Sequence, residues 1–177
     1  MGVWNQDRTS KEIHAELVTL LPRLRRFCFA LAGSADAGDD LCQEAVARAL
    51  ANANRFTPGT RLDNWVFRIA RNVHIDAHRR RKTRGPEVEI DEARTLSGDD
   101  GRSITEARSD FARVRSDFLA LPEDQRVVML LVAVEGLSYQ DAADALEIPM
   151  GTVMSRLWRA RRALDRKLHG DGEGTGG

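Results

Sequence analysis

LDNWVFRIARNVHIDAHRRRKTR, residues 62–84, carries two stripes at helical spacing and ends in a block of positive charge. Leu62, Val66, Ile69, Ala70, Val73 and Ala77 recur at steps of three and four, the apolar face of an amphipathic helix. Trp65, Arg68, Asn72 and Arg79, with Arg71 alongside, repeat the same period on the other side. From Arg68 to Arg84 the helix offers seven Lys or Arg against one acid, Asp76, which makes it a surface for an anionic partner. Trp65 among those cations suits single-stranded nucleic acid, whose phosphates are held by Arg and Lys while an aromatic ring stacks on a base. Read as structure alone, Trp65 is a core residue and the arginine run is a solvated helix end, and the spacing of Trp65 fits either role.

The rest of the chain shows the same concentration of charge. Its 177 residues balance to a formal charge of zero. Yet fifteen bases face nine acids up to Arg84, five face eleven from Gly85 to Asp124, and seven face seven beyond. Ser155 to His169 alone holds six bases and one acid, Asp165, so two basic patches flank an acidic middle. No apolar run approaches the roughly 20 residues of a membrane span, and the N-terminus lacks the hydrophobic region of a secretory signal. A cytoplasmic location is expected. Cys28 and Cys42 lack CxxC spacing and read most simply as small buried residues.

Periodicity places the other elements. Leu17, Leu20, Leu21, Leu24, Phe27, Cys28 and Leu31 predict a helix from about Glu12 to Ala32, with Pro22 bending it or opening its second part. A helix from about Asp36 to Ala53 buries Leu41, Ala45, Val46, Ala49 and Leu50, and its early acids suit the positive end of the helix dipole. FTPGTRLD, residues 56–63, reads as a loop on its Pro58-Gly59 pair. From Thr83 to Ser103 periodicity gives way to Gly and acidic residues, a flexible linker. Ser103 and Glu106 have capping-box spacing ahead of an amphipathic helix marked by Ile104, Phe111, Val114, Phe118 and Leu121.

A short Val- and Leu-rich helix follows from Glu123 to Gly136 and centres a second core. Ser138 to about Leu146 and a segment from around Pro149 to about Leu168 then form a helix-turn-helix. Val153, Leu157, Ala160, Leu164 and Leu168 form the buried stripe of the last helix, and Thr152, Ser155, Arg156, Arg159 and Arg162 lie opposite, the arrangement that enters a major groove. The expected fold is all-α, two small helical domains at 10–84 and 110–169 joined by a flexible acidic linker at 85–109, with a disordered tail at 170–177.

Three segments then carry a resemblance: DDLCQEAVARAL, FTPGTRLDNWVFRIARNVHIDAHRRR and LPEDQRVVMLLVAVEGLSYQDAADALEIPMGTVMSRLWRARRAL. In order, and across roughly residues 12–168, they resemble the successive signatures of a bacterial sigma factor of the extracytoplasmic-function group, the smallest members of the sigma-70 family. The FTPGT loop and overall pattern are most similar to the general stress response sigma factors of alphaproteobacteria. The resemblance implies that Asp40, Leu41, Gln43 and Glu44 dock on the beta-prime clamp helices of core RNA polymerase, with the C-terminal domain on the beta flap. It implies that Phe56, Thr60, Arg61, Asn64, Trp65, Arg68, Arg71 and Asn72 capture the unpaired minus-10 strand. Arg79, Arg80, Arg81 and Lys82 would hold the adjoining duplex, and Thr152, Ser155, Arg156, Arg159 and Arg162 the minus-35 element. It also implies an anti-sigma factor that covers the polymerase-binding faces, no enzymatic activity and no cofactor.

A free-standing helix-turn-helix regulator explains the last sixty residues but leaves Leu62 to Arg84 without a role. A metal enzyme would use His74 and His78, four apart, yet no third ligand is nearby in sequence and the arginines would repel a cation.

Overall fold

The computed structural model describes residues 3–57, 59–84 and 105–169. The described residues form helices and turns with no strand. The first unit consists of α1 (Val3–Ala32), α2 (Ala35–Ala51), a 3-10 turn at Ala53–Arg55 and α3 (Leu62–Arg84). The second consists of α4 (Thr105–Leu119), α5 (Glu123–Met129) running into a π-helical turn at Leu130–Val134, α6 (Tyr139–Leu146) and α7 (Met150–His169). The expected tail, Ser103 of the capping box and most of the expected linker lie outside the described residues. Helix α4 begins inside the stretch assigned to the linker, because Thr105-Glu-Ala-Arg108 lacks apolar periodicity but is made largely of strong helix formers.

Helix α1 neither breaks nor restarts at Pro22. Pro22 is exposed, and the carbonyl it leaves unbonded belongs to Val18, itself 67% exposed, so the missing bond falls on the solvent side of the helix. The helix ends where Gly33 adopts φ 78°, and Ser34 then caps α2. The expected stripe of α1 is buried from Leu17 to Leu31 except for Leu21, and α2 packs on it at very short range. A Cβ on Gly38 would lie 2.9 Å from the Cα of Phe29, so the absence of a side chain sets that approach.

Helix α3 closes the first unit with Leu62, Val66, Ala70 and Val73, while Ile69 is half-buried. Phe67, which the expected stripe omits, is fully buried, with its ring centre 4.8 Å from that of Phe27. In the second unit Val127, Val128, Leu131, Ala142, Ala143, Leu146, Val153, Leu157 and Ala160 meet as expected. Val114 does not: it is 51% exposed. Helix α4 meets α7 through Asp117, which binds Lys167, and Arg113, which donates to the Lys167 carbonyl, and this turns Val114 outward.

The two units also pack against each other. Arg126 in the middle of α5 is only 7% exposed and donates to the carbonyls of Ala30 and Leu31 at the end of α1, of Leu119 at the end of α4 and of Leu121 just beyond it. One guanidinium therefore satisfies helix-end acceptors from both units. Glu135, just past the π-turn, places its carboxylate 2.8 Å from Arg23 and 2.6 Å from Arg26 on α1, with a side chain 2% exposed.

Candidate nucleic-acid interface

Helix α3 and the loop before it build the first charged face. Trp65 is half-buried with its ring centre 5.4 Å from that of Phe56, so each reading of its spacing captures part of its position. Together with Arg55, Thr57, Thr60, Arg61, Asn64 and Arg68, and with Asp141 and Asp144 of α6 on the opposite side, it lines a cleft of about 400 Å³. The cations and amide surround an aromatic wall, a suitable chemistry for an unstacked base and its phosphates. Asp63 fixes the geometry from behind by accepting from Arg61 at 2.7 Å and from Arg23 at 3.0 Å. Burial alone would push the Asp63 carboxyl up, but the two arginines outweigh it and hold it below the ordinary range. Arg68 and Asn72 are exposed, as are Arg79, Arg80, Arg81 and Lys82 along the last turns of α3.

The acidic face of α2 lies apart from that cleft. Asp40, Gln43 and Glu44 are exposed, and Glu44 is paired with Arg48 at 2.7 Å. Leu41 does not share the face: at 8% exposure it belongs to the core and supports the neighbouring acids from beneath, because the stripe of α2 that includes Ala45 and Ala49 turns inward at that position. Cys28 and Cys42 are free and buried where α1 and α2 meet.

The helix-turn-helix forms from local signals. The Ser138 hydroxyl oxygen accepts from the Asp141 amide at 3.0 Å and caps α6, whose last turn ends at Glu147 in a left-handed conformation. Helix α7 then presents Ser155 and Arg159 to solvent, with Thr152 and Arg156 half-buried. Arg159 is steadied by the Ser155 carbonyl at 3.3 Å, and Arg156 by Asp124 at 3.1 Å. Sequence reasoning, organised by charge, missed an apolar row on the same helix: Met150, Met154 and Trp158 are 46%, 48% and 58% exposed, and the Arg162 guanidinium lies 4.9 Å from the Trp158 ring centre. The burial of Val153 and Leu157 is the signal that places this row outward.

The two faces are not independent. Asp141 accepts from Arg61 at 3.0 Å and from Asn64 at 3.3 Å, and Glu147 lies 3.2 Å from Arg71. His74 Nε2 lies 3.2 Å from Glu123 Oε2, which keeps that carboxyl below its ordinary range. Among the described residues no group of three or more His, Cys, Asp or Glu is disposed to hold a metal ion, and no helix is long and apolar enough to cross a membrane.

Residues 17–84 match the family model described as Sigma-70 region 2, and residues 118–164 match Sigma-70, region 4. Over 157 residues, 89% of this chain and 85% of the relative, the sequence is 38% identical to the ECF RNA polymerase sigma factor EcfG of Rhodopseudomonas palustris. The chain belongs to the extracytoplasmic-function sigma factors. Region 2 of this sigma factor therefore occupies α1–α3, and region 4 runs from the end of α4 into α7. Among solved structures, the Bartonella quintana sigma factor RpoE, in complex with the anti-sigma factor NepR, is 30% identical and superposes with a TM-score of 0.69 over 89% of this chain and 97% of that one. CnrH in complex with the cytosolic domain of CnrY shares the fold, at 23% identity and a TM-score of 0.66 over 94% and 96% of the two chains.

Proposed function

We propose that this sigma factor uses the α3 cleft to hold the unpaired minus-10 strand and the outer face of α7 to read the minus-35 duplex. It does so bound to core RNA polymerase through the exposed acids of α2. The observation that carries this is the chemistry of the two faces, an aromatic and amide cleft rimmed by arginines on region 2 and a basic helix-turn-helix on region 4. Holding only the open strand shifts the equilibrium toward strand separation, because that strand's binding energy is gained only after melting. Phe56 and Trp65 supply apolar walls, Thr60, Asn64 and Asn72 supply hydrogen-bonding groups, and Arg61, Arg68 and Arg71 supply charge. Arg79 and Arg80 continue the cationic track onto duplex DNA. Thr152, Ser155, Arg156, Arg159 and Arg162 carry out the minus-35 contact.

The protein acts in the cytoplasm as a transcription initiation factor and not as an enzyme. The likeness to RpoE bound to NepR supports control by an anti-sigma factor, and the resemblance carried by the FTPGT loop supports a role in the general stress response. In a holoenzyme assembled with core polymerase, Trp65→Ala is expected to leave polymerase binding intact while cutting the yield of open promoter complexes about tenfold, the loss of roughly one base–aromatic stack. Permanganate reactivity of promoter thymines reads the open complex. Unchanged reactivity would return Trp65 to a purely structural role.

A further inference from the structure

Cys28 and Cys42 belong to neither charged face, and two observations set them apart from ordinary core cysteines. The first is their mutual approach. A Cβ on Gly38 of α2 would lie 2.9 Å from the Phe29 Cα and 3.4 Å from the backbone carbonyl carbon of Cys28, so the two helices approach closely there. Cys42 stands one turn beyond Gly38 on the same side of α2, and the two thiols are hydrogen-bonded to each other. The second is access. Cys28 is fully enclosed, whereas Cys42, 8% exposed, lines a groove of about 790 Å³ with Leu21, Arg25, Phe29, Asp39 and Arg115.

The hydrogen bond makes the two sulfurs unequal. Donated by Cys28, it holds the Cys42 thiol below its ordinary range against burial and the charge of Asp39, with Arg25 assisting. The same bond, together with burial, pushes the Cys28 thiol up. Thiolates are the form that attacks peroxides, and reactive cysteines combine thiolate character with access and a neighbouring thiol. Here the sulfur that faces the groove is the one that ionises more readily, and a protonated partner lies behind it.

We propose that Cys42 and Cys28 are an oxidation site at which hydrogen peroxide forms a disulfide between α1 and α2. The Cys42 thiolate attacks one peroxide oxygen, the O–O bond breaks, and the departing hydroxide leaves as water with the proton given up by Cys42. Cys42 is then a sulfenic acid. The Cys28 sulfur attacks the Cys42 sulfur, the S–O bond breaks, and the hydroxyl leaves as a second water with the Cys28 proton. Two thiols and one peroxide become one disulfide and two waters, the sulfurs oxidised and the peroxide oxygens reduced.

The bond acts on α2, where Asp40, Gln43 and Glu44 flank Cys42. A covalent bond holds two sulfurs closer than a hydrogen bond does. Helix α2 cannot close on α1 at Gly38 without meeting backbone, so α2 tilts and its three polar side chains move with it. Oxidised protein therefore holds core polymerase less tightly, a consequence that rests on the reading of α2 given under Proposed function.

The test treats the reduced full-length chain with hydrogen peroxide and reads it by intact mass and by peptide mapping without reductant. The expected product has lost two hydrogens, contains the Cys28–Cys42 cross-link and takes up no dimedone, the reagent that marks sulfenic acids. Cys28→Ala is expected to stop at the sulfenic acid and add dimedone at Cys42, and Cys42→Ala to react with peroxide about tenfold more slowly than the parent. Circular dichroism verifies the fold of each variant, and the mass of the parent chain stands without them. A parent chain that keeps both thiols, or one oxidised at the two cysteines without a cross-link, would overturn the site. Binding to core polymerase is then titrated for the reduced form, the oxidised form and the oxidised form treated with dithiothreitol. Binding about fivefold weaker on oxidation, restored by dithiothreitol, is expected, the scale of a few displaced surface contacts. Equal binding of oxidised and reduced forms would overturn the coupling through α2 and leave the oxidation site standing. A reduced protein that does not bind core polymerase would remove the reading of α2 and the coupling with it.

Discussion

Trp158 is the residue whose position most needs a partner. A large aromatic ring left 58% exposed between Met154 and Arg162 contributes no core packing, and rings in such positions are enriched where a binding partner covers them. Trp158→Ala in the holoenzyme is expected to weaken binding to a cognate minus-35 duplex by about 1–3 kcal/mol, the scale of one base contact. A gel-shift titration reads it. A change below about 0.5 kcal/mol would place Trp158 outside the DNA interface.

The charged rows of both faces were legible at this scale because Arg and Lys recur at helical spacing opposite an apolar stripe, which places them at the surface. Trp158 was legible only by elimination, from the buried stripe beside it. Arg126 carried no signal at all, since its four acceptors are carbonyls from the ends of α1 and α4 that meet only in the tertiary structure.

Among the elements, the packing of α2 on α1 depends on one small residue. A methyl group at Gly38 would approach the Phe29 Cα to 2.9 Å, and backbone cannot move aside as a flexible side chain does. Gly38→Ala is therefore expected to destabilise the protein by about 1–3 kcal/mol in urea denaturation, despite the better helix propensity of Ala. An unchanged midpoint would show that the two helices can separate at little cost.

Apolar periodicity identified α1, α2, α3, α6 and α7, for each has one face buried and one in water. It did not identify the π-helical turn at Leu130–Val134, which differs from an α-helix in its hydrogen bonding and not in its side-chain pattern. Phe67 escaped for a related reason. It stands beside Val66 and broadens the buried face beyond the narrow stripe that steps of three and four describe.

The whole molecule adds what no stretch of sequence contains. The acids of region 4 carry no long-range signal in the sequence, and the Asp141 amide donates locally to the Ser138 hydroxyl that caps α6. Folding brings them onto region 2. Glu135 meets Arg23 and Arg26, Glu123 meets His74, and Asp141 and Glu147 meet Arg61 and Arg71 on the basic face of region 2. Contacts of this kind join residues 49 to 112 positions apart. Spacing within one helix cannot reveal them.

The most direct measurement at this scale is transcription by a reconstituted holoenzyme. Purified protein is added to bacterial core RNA polymerase on a cognate promoter that core alone ignores, and run-off product is quantified. New, promoter-dependent initiation that Arg156→Ala and Trp65→Ala each reduce is the expected result. A protein that binds the promoter duplex tightly by itself, yet neither associates with core polymerase nor starts transcription, would contradict the assignment of these two faces to one initiation factor.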